Sequence, residues 1–344
     1  MADTPVPKSS KVDIPPEGIA AQNVAPAVLP GNDNKKKDLK KMLLGNLCIL
    51  IATLFFGVNL PVIKDLIEKS WCTSFDVTAW RMIGGCALFW IASLFVKCEK
   101  IQKGDWLVVL LGGGIGLFLF IFLFNYSLKF GNPIDISIIM TLPPIFVLLM
   151  EMIFKHYKVS WLEIVGILVS FAGAIIVILN EHGGTSKNHD EILGDLLAVA
   201  STICYAFYLF ILERPTHTYH PISLLRWVFL GAAVPALFLI PGVVHSHMVI
   251  NNVGWLPWAL LAFVVFCPTF LSYLLVNPAV KMIGSELTSL YQYLLPVFAT
   301  IVTVIMGLAK LDWIQVLAMG VIIVGMLFTQ RAKFKKKDIP ALKQ

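Results

Sequence analysis

Residues 125–179 open as NYSLKFGNPIDISIIMTLPPIFVLLMEMIF and close, from Val159, as VSWLEIVGILVSFAGAIIVIL. A second copy starts at Asn277: NPAVKMIGSELTSLYQYLLPVFATIVTVIMGL, then LDWIQVLAMGVIIVGMLF. At one constant offset Asn125 falls on Asn277, Lys129 on Lys281, Ser137 on Ser289, Pro144 on Pro296, Phe146 on Phe298, Trp161 on Trp313 and Gly173 on Gly325. Leu, Ile and Val matches are cheap in so apolar a chain; Asn, Lys, Pro, Trp and Gly matches at fixed spacing are not. The chain therefore contains an internal repeat, and the repeat decides the architecture.

Outward from this stretch, composition sets the solvent. Of 344 residues, 58% are hydrophobic and 14% charged, with a mean hydropathy of +0.80. Soluble domains carry roughly 45–50% apolar and about 25% charged residues, so the chain reads as an integral membrane protein. The net charge of +6 sits mostly in KKKDLKK (35–41) and RAKFKKK (331–337). These read as juxtamembrane anchors and not as a nucleic-acid surface. The six cysteines form no CxxC pair and read as small hydrophobes.

Ten apolar runs are each long enough to cross about 30 Å of hydrocarbon as a helix. They cover 43–63, 76–97, 106–127, 133–154, 161–179, 193–212, 221–243, 256–276, 286–308 and 312–330. Helices are expected because a backbone in lipid must satisfy its own hydrogen bonds. The fold class is an all-α membrane protein of ten transmembrane helices in two five-helix repeats. Five spans per repeat invert the second copy relative to the first. The expected organisation is a disordered tail over 1–40 with no signal-peptide pattern, repeats over 41–180 and 193–331, an outer linker over 181–192, and a basic tail over 332–344. Lys97, Lys100, Lys103, Lys155 and Lys158 lie in loops on the side of the two tails, so both termini are expected in the cytoplasm.

Local signals punctuate the spans. Ser160-Trp-Leu-Glu163 and Asp312-Trp-Ile-Gln315 have the form of capping boxes. Asn132-Pro133-Ile-Asp135 offers an N-cap, a first-turn proline and an acid, and Ser285-Glu286 is read as a similar start for the ninth span. Pro61, Pro143, Pro144, Pro235, Pro268 and Pro296 break or bend their helices. Such breaks either line a cavity or are plain bends. Gly112, Gly113, Gly114 and Gly116 read as close helix packing and not as a phosphate loop.

Candidates for chemistry are few. Arg81 and Arg226 stand near the starts of equivalent spans. Each either attracts an anionic solute or holds a gate, or is structural, snorkelling or bonding carbonyl groups. Glu151 is the best-buried acid; it is either a proton acceptor or the i,i+4 partner of Lys155. Asp135, Glu163, Glu286 and Asp312 read as caps. Asn59, Asn125, Ser137, Thr141, Tyr205, Tyr208, Asn277, Thr288, Tyr291 and Gln292 are polar residues inside spans. Each needs a partner, either another helix or a solute. His245-Ser-His247 supplies two ligands and lacks the third that a metal site needs. No nucleophile motif, nucleotide fingerprint or cofactor motif appears.

The order FFGVNLPVIK (55–64), Arg81 and Arg226, the LPPIFVLLMEMIF and LLPVFATIVTVIM helices, and the closing helices from Trp161 and Trp313 resembles the drug/metabolite transporter superfamily. The similarity is to its ten-helix permeases with two EamA-type repeats, over about 40–331. The chain departs from many members at Phe56, where a tryptophan is common, and at Tyr205-Ala206. It also has His156-Tyr157 and Leu308-Ala309 where a Gly-Glu pair is frequent. The resemblance implies a multi-pass permease of the cytoplasmic (inner) membrane. It would move a small organic solute by alternating access, with export as the expected direction; the scarcity of charged residues among the cavity candidates points to a neutral, zwitterionic or amphipathic one. It implies neither cofactor nor metal, and leaves the oligomeric state open, a monomer included. Carried onto this chain, it places Asn59, Asn125, Ser137, Thr141, Tyr208, Asn277, Thr288 and Gln292 in a central cavity, with Trp80 and Arg81 near one mouth; Tyr291 joins them from the polar set. The rival readings are a translocator of lipid or lipid-linked head groups on the same fold, and a membrane enzyme acting on such lipids.

Overall fold

The computed structural model describes residues 32–156, 159–179, 189–244, 247–250 and 254–338, and all regular structure among them is helical. Contacts divide the chain after Lys40 into two units. Of the first unit only residues 32–40 are described, as helical turns; the packed helix bundle belongs to the second, Lys41–Gln344.

The helices are α1 (Asn32–Glu68), α2 (Ser74–Ser93), α3 (Lys103–Phe130), α4 (Pro133–Phe154), α5 (Trp161–Leu179), α6 (His189–Ile211), α7 (Pro221–Val244), α8 (Trp255–Ile283, helical on to Leu290), α9 (Tyr291–Ile305) and α10 (Trp313–Asp338). Seven of these, α1 and α3–α8, are long and apolar enough to cross a bilayer; α9 and the Trp313–Thr329 part of α10 are shorter apolar helices. The protein is thus all-helical, with helices at all ten expected places. Much apolar surface faces outward. Trp161, Trp255 and Trp313 each begin a helix and are 77%, 78% and 80% exposed, as tryptophans at a membrane–water boundary are.

The local signals act through the expected chemistry. Ser160 N donates to Glu163 Oε2 and Glu163 N donates to Ser160 Oγ, closing the box at the start of α5. The side chain of Asn132 accepts from Ile134 N at 3.0 Å, with Pro133 in the first turn of α4. Asp312 N donates to Gln315 Oε1 at 3.0 Å where α10 begins. Thr73 and Asp76 form a further capping box on α2.

Three boundaries differ from expectation. Helix α1 begins at Asn32, inside the expected tail, because 32–41 holds lysines and a leucine with no Gly or Pro to stop a helix. Helix α10 likewise runs through the basic 331–337 run to Asp338. Ser285-Glu286 does not start α9: α8 continues through both to Leu290, and a 3-10 turn over Tyr291–Leu294 precedes the α-helix of Leu295–Ile305. Asn132 is followed by Pro133, whereas nothing comparable follows Ser285, so the break waits for Pro296.

Equivalent helices of the two repeats pack against each other in antiparallel pairs. In α2–α7, Asp76 lies near Gly242, Gly85 meets Phe229 and Trp90 meets Trp227. In α5–α10, Gly166 meets Gly325 and Thr329, and Gly173 meets Ala318 and Ile322. A Cβ on Gly166 would sit 2.5 Å from the Gly325 carbonyl oxygen, and one on Gly325 would sit 2.6 Å from that of Gly166. Only glycine allows this approach. The first helix of each repeat crosses to the other: α6 lies along α3 (Tyr205 on Phe120, Gly194 against Gly131), and α1 lies along α8 (Phe56 on Tyr273, Gly45 against Ile283).

Candidate functional site

Two pairs of helix breaks shape the centre of the molecule. Helix α3 carries a π-helical segment over Gly112–Leu119, and α8 carries one over Val265–Leu271, at the offset that relates Asn125 to Asn277. Helix α4 is interrupted between Pro133–Ile139 and Pro143–Phe154, and α9 by its 3-10 turn. At that same offset Met140, in the first break, falls on Gln292, in the second. π-Segments and proline breaks free backbone carbonyls and re-aim side chains.

Pro268 shows how one freed carbonyl is used. Lacking an N–H, it cannot donate to the Val264 carbonyl one turn earlier, and the Thr269 hydroxyl donates there instead at 2.8 Å. The Ser272 hydroxyl donates to Cys267 O at 3.0 Å and reaches Ala52 O of α1 at 3.3 Å. Thr269 Oγ1, oriented in this way, accepts from Arg81 Nε at 2.9 Å.

Arg81 is 3% exposed. Its Nη1 donates to Asn125 Oδ1 at 3.3 Å, Asn125 Nδ2 donates to Thr78 Oγ1 at 2.9 Å, and Thr78 Oγ1 donates to Ser74 O at 2.8 Å. The guanidinium carbon lies 6.0 Å from the Phe124 ring centre. Its hydrogen-bond partners are uncharged, and among the described residues no carboxylate pairs with it. A buried, permanently charged side chain held only by neutral acceptors is an uncommon arrangement, because unpaired charge is costly to bury.

Arg81 lines a cavity of about 790 Å³, counting the space open at its mouth. Helix α1 contributes Thr53, Phe56 and Asn59, α3 contributes Phe120 and Phe124, α4 contributes Met140, α6 contributes Tyr205, α8 contributes Tyr273, and α9 contributes Gln292 and Leu295. The wall is mostly aromatic: Phe120 and Tyr205 stack at 4.7 Å, and Phe56 meets Tyr273 edge-on at 5.9 Å. Asn59 is 2% exposed, and its Oδ1, like Gln292 Oε1, is buried without a hydrogen-bond partner. Buried amides are ordinarily paired, so two acceptors with no partner among the described residues are uncommon.

Of the residues singled out in the sequence, Asn59, Arg81, Tyr205 and Gln292 come together on this cavity. Asn125 lies behind Arg81 and orients it. Tyr208 stacks on Tyr205 and meets Tyr273 edge-on, one layer behind the wall. Ser137 and Thr141 are fully buried and donate to the carbonyls of Ile134 and Ile138 in their own helix. Trp80 packs edge-on against Trp258, and the Tyr291 hydroxyl donates to Asn46 Oδ1 at 3.0 Å. The side chains of Asn277 and Thr288 lie outside the described residues, as do His245, Ser246 and the side chain of His247. Glu151 meets Lys155 at 4.0 Å, and Lys155 also pairs with Glu213 of the short helix Glu213–Thr218. Asp135 does more than cap: its Oδ1 accepts from Gln315 Nε2 at 2.7 Å, joining α4 to α10. Among the described residues no cluster of three His, Cys, Asp or Glu side chains could hold a metal.

Sequence reasoning missed Thr78 and Thr269, which flank Arg81 with hydroxyls, and the aromatic wall. Thr269 had a readable signal, since it follows Pro268 inside a span. The rings had none, because phenylalanines facing lipid and phenylalanines facing a cavity look alike in sequence.

The profile of the EamA-like transporter family matches residues 43–179 and again 192–331, the two repeats. The chain is 27% identical over 252 residues to the uncharacterized transporter YyaM of Bacillus subtilis, covering 72% of this chain and 82% of that protein. It is 25% identical over 301 residues to a second uncharacterized Bacillus subtilis transporter, YxxF, covering 85% of this chain and 91% of that one. A solved crystal structure superposes with a TM-score of 0.54 at 20% identity, covering 82% of this chain and 96% of the other, a likeness of fold alone. With both of its halves matched, the chain belongs to the EamA-like transporter family: it is a multi-pass membrane transporter and not an enzyme.

Proposed function

We propose that the protein is a secondary permease for a small organic solute, with ten membrane crossings in two inverted five-helix repeats and both termini in the cytoplasm. The observation that carries this reading is the cavity where the broken helices of both repeats meet, with Arg81, Asn59 and Gln292 turned onto it. The antiparallel pairs α2–α7 and α5–α10 support the inversion, since helices of equivalent rank run in opposite directions. Inverted repeats around a central site with discontinuous helices are a recurring plan of alternating access. Rocking one repeat against the other would expose the cavity to each side in turn. Export is the direction proposed.

The test is solute counterflow in proteoliposomes holding the purified protein, using a broad panel of labelled metabolites. Saturable counterflow of at least one class supports the permease, and its absence across the panel sinks it. Cysteine accessibility at residues 39 and 335, probed from each side of intact cells, checks the placing of the termini.

A further inference from the structure

Resting on the permease reading, we infer that the transported solute is a small organic acid with an apolar, ring-sized body, its carboxylate seated on Arg81. Arginine carries five N–H donors in a planar fork and cannot lose its proton. Among the described residues two of the five are used, one on Thr269 and one on Asn125. The remaining edge belongs to a side chain on the cavity wall, and among the described residues no Asp or Glu lines that cavity. A fork with donors that no described residue takes up, and no carboxylate beside it among the described residues, matches a carboxylate, which accepts two parallel N–H bonds and brings a negative charge. A neutral solute would leave the cation as uncompensated as it stands now.

The rest of the lining describes the body. Phe56, Phe120, Phe124, Tyr205 and Tyr273 offer ring faces and edges, which favour a flat apolar group in stacked or edge-on contact. The unpaired Asn59 Oδ1 and Gln292 Oε1 call for an N–H or O–H donor on that body. The three demands together describe an amphipathic acid with one donor group. The shared chemistry of anion and apolar body is also that of an anionic lipid, so the test includes one.

The experiment measures the thermal stabilisation of purified full-length protein by three probes: N-acetylphenylalanine, its primary amide, and dioctanoyl phosphatidate. The first two share the ring and the acetamide and differ at one end, where the amide exchanges the negative charge for two N–H donors. The acid is expected to half-saturate at a concentration at least about tenfold below the amide, a difference of about 1.4 kcal/mol. Arg81→Gln should bring the two together, with Arg81→Lys between, since an ammonium keeps the charge and loses the fork. Should Arg81→Gln fail to fold, the comparison of acid and amide on the unaltered protein still decides. Equal binding of acid and amide, no binding of the acid at millimolar concentration, or protection by the phosphatidate alone overturns the inference. Counterflow of neutral solutes with no preference for acids sinks this inference and leaves the permease. Acid-selective binding without any counterflow sinks the permease reading.

Discussion

Arg81 and Arg226 start as counterparts, each near the beginning of the second helix of its repeat, and they end in opposite surroundings. Arg81 lies on the cavity wall and is held by Thr269 and Asn125. Arg226 lies on α7 with its guanidinium carbon 5.5 Å from the Trp90 ring centre and 5.3 Å from that of Trp227, and Trp106 closes edge-on against Trp227. The first cation stands on the wall of the cavity. The second is covered by ring faces, which stabilise a cation without a counter-ion. The two differ in what surrounds the cation: Arg81 has a hydroxyl, an amide and a cavity, Arg226 two indole rings. One ring, Phe124, lies over Arg81; two tryptophans share Arg226.

The largest effect that could break this contrast comes from Arg81. Arg81→Gln should lower solute transport about a hundredfold, since truncating one member of a buried charged contact costs about 2–5 kcal/mol and each 1.4 kcal/mol is a factor of ten. Surface expression, measured alongside, separates transport from folding. If Arg81→Gln transports normally, Arg81 is as structural as Arg226 and the contrast disappears.

Arg226→Met should do the reverse. It removes a cation–π contact worth about 0.5–2 kcal/mol and keeps an apolar chain against Trp90 and Trp227. The expected outcome is a modest fall in thermal stability with unchanged half-saturation for solute. A shift in solute affinity larger than about threefold, which is about 0.7 kcal/mol, would show that the tryptophan cage communicates with the cavity.

Asn59 extends the comparison from charge to hydrogen bonding. Its Oδ1 is buried without a partner, and such an acceptor costs about 1–3 kcal/mol. Asn59→Leu should therefore leave thermal stability unchanged or raise it by about 1 kcal/mol, while weakening solute binding. Ser137→Ala offers the contrast: its hydroxyl already bonds to Ile134 O, so transport should be unaffected. Loss of stability in Asn59→Leu would mean that the amide serves the fold.

Legibility in the sequence depended on what side-chain identity can carry. The repeat was readable because Asn, Lys, Pro, Trp and Gly are rare enough in an apolar chain to align two copies. The caps at Asn132 and Ser160 were readable because N-cap chemistry is local. The cavity was readable only in its polar members. Ser137 and Thr141 looked like Asn59 in the sequence, yet each hydroxyl folds back onto its own helix, and sequence does not distinguish a hydroxyl bonded locally in this way from a free one. The wall was illegible because lipid is as apolar as a protein interior, so Phe120 facing the cavity and Phe238 facing outward occur in similar runs. The α8–α9 boundary was misplaced because Ser285-Glu286 has the composition of a helix start with no break before it.

The smallest expected effect lies outside the spans, where Lys155 bonds to Glu213 and reaches Glu151. Chiefly through the Glu213 hydrogen bond, the Lys155 ammonium is held above its ordinary pKa of 10.5. A raised lysine pKa means that the protonated form is favoured in the folded state. The stabilisation is therefore fully present below 10.5 and is lost only as pH rises through the raised value. The side chains are about half exposed, 47% for Lys155 and 52% for Glu213, so the pair is worth a few tenths to about 1 kcal/mol. Lys155→Met should lower thermal stability by that amount with no pH dependence from Lys155 between neutrality and mild alkali. The difference should shrink in high salt, because exposed charges are screened. Transport by Lys155→Met that differs strongly from the unaltered protein would overturn this ranking. It would place a gate where the α4–α5 loop meets the segment after α6.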